Sequence, residues 1–290
     1  MRRHDNFSTY EGLRKDFPWF SYDSFRYYFT GKTMEIDYFF SLSGKIFFTP
    51  HISIPIKNNI FKATDSLSAP ALDNLVFNAG MIELISYWKA ACPPQLIIKP
   101  FRMNSDQIAF WKKIYFQGLG EFFYLNSIPA DYKDFMSITC DSAIHTECFD
   151  FKQTQQSIVP VGGGKDSAVT AGLLNQAGED WAPFVINPGK TTLSVLEAAG
   201  KKESETIELY RSIDPELLRL NKRGFLNGHT PFSAMLAFYS LLVSYLTGKT
   251  DIILSNESSA NEATVPGTSI NHQYSKTIEF EADFRNYSRE

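Results

Sequence analysis

The chain has 290 residues, 43% of them hydrophobic and 21% charged, a composition that buries a sizeable core and excludes disorder as the main state. Its 28 basic and 32 acidic side chains leave a formal charge of -4, so there is no general electrostatic footprint for nucleic acid. Aromatic residues make up 15% of the chain and Phe alone fills 25 positions, a load that predicts large apolar contacts, including a surface meant to be covered. Cys92, Cys140 and Cys148 are odd in number and form no CxxC, so neither a disulfide framework nor a zinc ribbon is expected. The start, MRRHDNFSTYEGLRKDF, has no apolar stretch after its arginines, unlike a secretory leader. The longest apolar run, residues 231–246, is shorter than the roughly 20 residues of a membrane span. The expectation is a cytoplasmic protein with no membrane or nucleic-acid partner.

In chain order, FRYYFTG, MEIDYFFSLS and KIFFTPHISI alternate aromatic and polar residues and are separated by Gly31-Lys32 and Ser43-Gly44. This pattern predicts a small antiparallel meander. From Pro70, Leu72, Leu75, Val76, Ala79, Ile82 and Ile85 recur with helical spacing until Cys92-Pro93-Pro94 stops them. Residues 95–99 read as a strand and 104–118 as a helix with Ile108, Trp111 and Tyr115 on one face. After about residue 150, apolar runs at 157–161, 182–187, 206–210 and 251–255 alternate with helical stretches near 167–176, 193–201 and 231–246. That alternation predicts a parallel sheet covered on both faces. The expected organisation is two domains: an aromatic-rich α+β domain with antiparallel strands over residues 1–150, then an α/β domain with a parallel sheet over 151–290.

The stretch SIVPVGGGKDSAVTAGLL sets three glycines between an apolar run and a helix. Glycines let the backbone turn sharply and approach a ligand, and the helix start presents unpaired N–H groups and the positive end of its dipole, which suits phosphate. A Walker A loop does not fit, because Val159 stands where its first Gly belongs and Asp166 follows Lys165. A dinucleotide fingerprint begins with Gly162 and Gly164 but ends on Ser167. An ordinary turn with Asp166 or Ser167 as helix cap is the plainer alternative.

A second polar run, NESSANEATVPGTSINHQYSK, follows the last apolar strand. Glu257 and Glu262 are candidates for holding magnesium or exchanging a proton, and His272 for proton transfer. Asn256, Asn261, Asn271 and Gln273 are candidates for orienting a polar substrate, and Lys276 for holding a carboxylate or phosphate; a solvated loop is the plainer reading. In a third segment, Thr230 is the expected N-cap of a helix whose first residue is Pro231, while His229 fits a surface role and a site role equally.

Gly162-Gly163-Gly164-Lys165-Asp166-Ser167 resembles the PP-loop of ATP pyrophosphatases, SGGxDS, with Gly162 in place of the first Ser. Taken with NESSANE, NHQYSK, LDNLVFNAGMIELISYWKA and GLGEFFYLN, the chain from about residue 25 onward resembles one family in particular. It is the family of ATP-dependent epimerases that invert the terminal glutamate of UDP-N-acetylmuramoyl-L-alanyl-L-glutamate in peptidoglycan precursor synthesis. The resemblance implies an adenine-nucleotide-alpha-hydrolase-like fold for the second domain, a substrate-side role for the first, and ATP with Mg2+. Residues Gly162 to Ser167 would bind ATP, with Ser167 donating to phosphate, Lys165 neutralising charge, and Asp166 and Glu257 at the metal. The acid and base would come from His229, Glu257, Glu262 and His272. A nucleotide-sugar peptide would be the small-molecule partner, and the family's further C-terminal portion would mean that this chain ends early. Another PP-loop adenylylating enzyme, of tRNA-modification or amidotransferase type, and a non-catalytic nucleotide-binding module stay open.

Overall fold

A computed structural model describes residues 4–57, 59–149, 154–256, 258–262 and 273–289. The first half contains α1 (Phe7–Asp16), β1 (Trp19–Phe29), β2 (Thr33–Leu42), β3 (Ile46–Phe48), β4 (His51–Pro55), α2 (Ala69–Trp88), β5 (Gln95–Ile98), α3 (Ser105–Gly118), α4 (Gly120–Leu125) and β6 (Ser137–Cys140). The second contains β7 (Thr154–Pro160), α5 (Lys165–Ala177), β8 (Trp181–Ile186), α6 (Lys190–Ala198), β9 (Ile207–Ser212), α7 (Pro215–Lys222), α8 (Phe232–Thr247), β10 (Lys249–Ile252) and α9 (Ile278–Tyr287). The expected meander is β1 to β4, and the expected helix after Pro70 is α2. A capping box starts α3, the Asn104 side chain accepting from Gln107 N while the Gln107 side chain accepts from Asn104 N. At α8 the N-cap is Pro231 and the helix starts at Phe232, one residue later than Thr230 and Pro231 suggested; α7 carries no sequence expectation.

The result is a mixed α/β fold on one ten-stranded sheet, in the order β10-β7-β8-β9-β4-β2-β1-β5-β6 with β3 on β2. Strands β1, β2, β3 and β4 pair antiparallel in the middle, while β10-β7-β8-β9 and β1-β5-β6 are parallel flanks. The two halves of the chain meet where β4 pairs antiparallel with β9, Ile52 opposite Arg211. One sheet therefore runs through both.

Period-two side-chain alternation divides the core between the faces. Ile158 belongs to the main core, built on α2, α3, α8 and the sheet around Tyr38, Phe77, Trp88, Trp111 and Phe238. Its neighbour Val159 belongs to a small core on the other face, with Val161, Ala171, Trp181, Val185 and Leu196 under α5 and α6. The phenylalanine load, expected to include a surface to be covered, goes mostly inside: Phe20, Phe40, Phe48, Phe77, Phe122, Phe184 and Phe238 are buried. Among the described residues, Phe7, Phe47 and Phe232 are the phenylalanines in the set of exposed large apolar side chains. Among the described residues, no helix is long and apolar enough to cross a membrane.

Helix α2 is apolar nearly all round because it lies between the sheet and α8. Its one deeply buried charge, Glu83, is met by Arg211 of β9 in a bidentate pair, Nε to Oε2 at 2.7 Å and Nη2 to Oε1 at 2.8 Å. The Tyr239 hydroxyl also donates to Glu83, at 3.2 Å, and Arg211 Nη2 donates to Ser86 Oγ, also at 3.2 Å. Burial alone would lower the Arg211 pKa, but the charge and hydrogen bonds of Glu83 outweigh it and hold the guanidinium above its ordinary value. Glu83→Ala is expected to lower stability by ~3–5 kcal/mol by leaving a buried guanidinium unpaired. Urea unfolding checks this, with the double change Glu83→Leu, Arg211→Met recovering most of the loss.

Candidate functional site

In the second half the chain runs outward from β7 to β8 and β9, then returns to β10 on the other side of β7. That reversal makes the carboxyl ends of β7 and β10 a topological switch point, where open α/β sheets bind ligands. The glycine loop follows β7, and the second polar run follows β10, whose pairing continues as Ile253 N donates to Ile158 O at 2.9 Å.

Gly163 has φ +82°, and a Cβ there would stand 2.9 Å from Thr192 N and 3.1 Å from the Thr191 carbonyl carbon. Only glycine brings the loop this close to the first turn of α6. Helices α5 and α6 have glycine N-caps, Gly164 and Gly189, and neither is closed by a capping side chain. Two helix starts thus meet at one loop with their positive dipole ends and first-turn N–H groups together, a setting for an anion. A Cβ at Gly162 or Gly164 would meet nothing within 4 Å, so the loop's other side is open.

Lys165 is exposed and pairs with Asp166 at 2.7 Å. The hydrogen bond from Lys165 holds the Asp166 carboxyl below its ordinary range against a small desolvation, helped by the charges of Lys165 and Lys276. The structure therefore brings Lys276, in the 3-10 turn Tyr274–Lys276, into the electrostatic reach of the glycine loop. Ser167 is buried and its hydroxyl donates to Gly164 O at 2.9 Å, so it holds the loop together in this state.

Of the other expected residues, Asn261 is occupied within the fold. Its Oδ1 accepts from Ile278 N at 3.1 Å, at the start of α9, and its Nδ2 donates to Ser258 O at 3.2 Å. Asn256 and Glu262 are exposed, and Gln273 is half-buried ahead of the 3-10 turn. Glu257, Asn271 and His272 lie outside the described residues. His229 is exposed, on a segment held against the first half by Asn126 Nδ2 donating to Asn227 O at 3.3 Å and by Lys89 Nζ donating to Gly228 O.

Sequence reasoning missed two groups. The first turn of α6, Lys190-Thr191-Thr192, was readable as a second strand-glycine-helix start in VINPGKTT. Lys89 had no readable signal. It is 7% exposed, and burial, with Arg211 nearby and against a smaller opposing influence of Cys92, pulls its pKa down to about 8.

The class that these features define is a mixed α/β protein with a glycine loop between two helix starts at a sheet switch point. The chain belongs to the MurL N-terminal domain family, whose model matches residues 12–290. It is 31% identical over 227 residues to the UDP-N-acetyl-alpha-D-muramoyl-L-alanyl-L-glutamate epimerase of Xanthomonas oryzae pv. oryzae, covering 78% of this chain and 49% of that protein. It is 30% identical over 295 residues to the protein of the same name from Salinispora tropica, covering 98% and 58%. A third of that name, from a Micromonospora strain, is 34% identical over 203 residues, 69% of this chain and 44% of the relative. The chain thus spans about half the length of the curated relatives it matches. No solved structure matches it significantly.

Gly163→Ala is expected to abolish anion binding at the loop while costing global stability only ~1–2 kcal/mol, measured by titration with pyrophosphate beside thermal melting. Lys89 gives a pH test. Its folded pKa is lowered, so between about 8 and its ordinary value the unfolded chain keeps a proton that the folded chain has released, and stability rises with pH across that window. Unfolding free energies from urea titration at the two ends of the window should differ by up to ~3 kcal/mol, and Lys89→Met should flatten that slope.

Proposed function

We propose that this domain binds ATP at the glycine loop and serves the ATP-dependent epimerisation of the terminal L-glutamate of UDP-N-acetylmuramoyl-L-alanyl-L-glutamate. The observation that carries the reading is the meeting of two glycine-capped helix starts at one loop, with Lys165, Asp166 and Lys276 beside it. Such a site suits a polyphosphate, and the epimerase names of the relatives supply the substrate class.

The chemistry explains why an epimerase would use ATP. The α-proton next to a free carboxylate is hard to remove, because the carbanion would add a second negative charge to the same group. A carboxylate oxygen attacking the α-phosphorus of ATP, with loss of pyrophosphate, gives an acyl-adenylate whose α-carbanion is enolate-like. Positioned donors stabilise that charge. A base then takes the proton from one face, an acid returns one to the other, and water cleaves the mixed anhydride to AMP and the D-glutamyl product.

Magnesium usually keeps one or two carboxylates with phosphate oxygens and water. Asp166, ionised and at the loop, fits as such a carboxylate, with Glu257 of the polar run as the second candidate. Mg2+ would supply neutralisation of the phosphate charge. Lys165 and Lys276 would hold phosphate or the substrate carboxylate, and Asn256 and Gln273, with Asn271, would orient the peptide. His229, Glu262, Glu257 and His272 are the candidates for acid and base, and the aromatic first half would face the substrate. The test is incubation of the intact protein with ATP, Mg2+ and the L-glutamyl substrate in deuterated water. Deuterium at the glutamate α-carbon with AMP and pyrophosphate is the expected outcome; ADP and phosphate, or glutamate left unexchanged, would sink the reading.

A further inference from the structure

Of the buried hydroxyls that make no hydrogen bond among the described residues, Tyr22, Tyr38, Tyr115 and Ser240 sit among the buried side chains of the interior, where no ligand enters. Ser255 is different. Its Oγ is likewise shielded and unpartnered, yet the residue is only partly buried and stands just past the carboxyl end of β10, at the switch point. A buried hydroxyl without a partner carries a cost that a native structure ordinarily avoids, so its placement asks for an acceptor supplied from outside the chain.

The register says which acceptor. Ile252 lies opposite Ile158 and Ile253 N bonds Ile158 O, and that register, continued three residues past the last pair, sets Ser255 level with Val161, the residue before Gly162. The faces agree. Ile253 packs with the small core under α5 and α6, while Leu254 packs with the main core, and continued alternation turns Ser255 to the α5 side, where the glycine loop lies. Two side-chain donors of the loop bond within the chain, Ser167 Oγ to Gly164 O and Lys165 Nζ to Asp166, which leaves the backbone N–H groups facing any phosphate.

We propose that the Ser255 hydroxyl donates a hydrogen bond to a phosphate oxygen of the nucleotide held at the glycine loop, making the end of β10 the second wall of the phosphate site. This deepens the nucleotide reading and rests on it. Calorimetric titration of the chain with Mg-ATP and, separately, with inorganic pyrophosphate tests both. The wild-type chain binds both probes. Ser255→Ala binds pyrophosphate about tenfold more weakly, as loss of one hydrogen bond to a charged group does. Ser255→Thr, which keeps the hydroxyl, stays near wild type, and so does Ser259→Ala in the exposed turn that follows. Equal affinity of Ser255→Ala and wild type overturns the proposal and leaves the nucleotide reading standing. A wild-type chain that binds neither probe overturns both. Should Ser255→Ala lose its thermal transition, Ser255→Cys, similar in volume and a poor donor, gives the same comparison.

Discussion

The ion pair between Glu83 and Arg211 is the constraint on which the arrangement of the site depends. It stands where the antiparallel centre of the sheet meets its parallel flank, and it ties α2 of the first half to β9 of the second. From Arg211 the connection passes on through the backbone. The Asn187 side chain accepts from Arg211 N at 2.8 Å and donates to Arg211 O at 3.0 Å. Asn187 itself, at φ +49°, leads through Pro188 to Gly189, the N-cap of α6. The first turn of α6 is what Gly163 touches. A bidentate pair with a fixed fork geometry, an amide clamped on a strand and a glycine with no room for a methyl group thus place the glycine loop relative to the aromatic half. An apolar pair of equal volume would fill the same space but would not fix β9 along its own axis.

What could be read from the sequence follows the range of each interaction. The strand, glycine loop and helix at 157–177 were legible because their chemistry is local, with φ, dipole and cap all written within a few residues. The meander was legible from its alternation. Arg211, in IELYRS, carries no local signal, because its partner lies 128 positions away and no spacing rule reaches that far. The same holds for Asn261: its place in a polar run suggests a substrate contact and says nothing of the bond it accepts from Ile278, 17 positions on. The phenylalanine load predicts the large apolar contacts of the core, while composition says how much apolar area exists and not which face of the sheet receives it.

Helix capping separates the site from its scaffold. Among the described helices glycine stands at the N-cap only in α5 and α6, whereas Asn104, Asp214 and Thr277 cap α3, α7 and α9 through their side chains. Glycine in place of a capping Ser, Asn or Asp costs only ~0.3 kcal/mol per helix, a small loss beside the open N–H groups it leaves. A capping oxygen would occupy the N–H groups of the first turn and set its own negative end against an arriving anion; with glycine those groups and the dipole stay available. Asp166 does not undo this, because Lys165 is paired with it and Lys276 adds a further positive charge. The local field at the loop is therefore favourable to an anion although the chain as a whole carries -4. Net charge describes the whole surface, whereas the field at the loop is set by the ends of two helices.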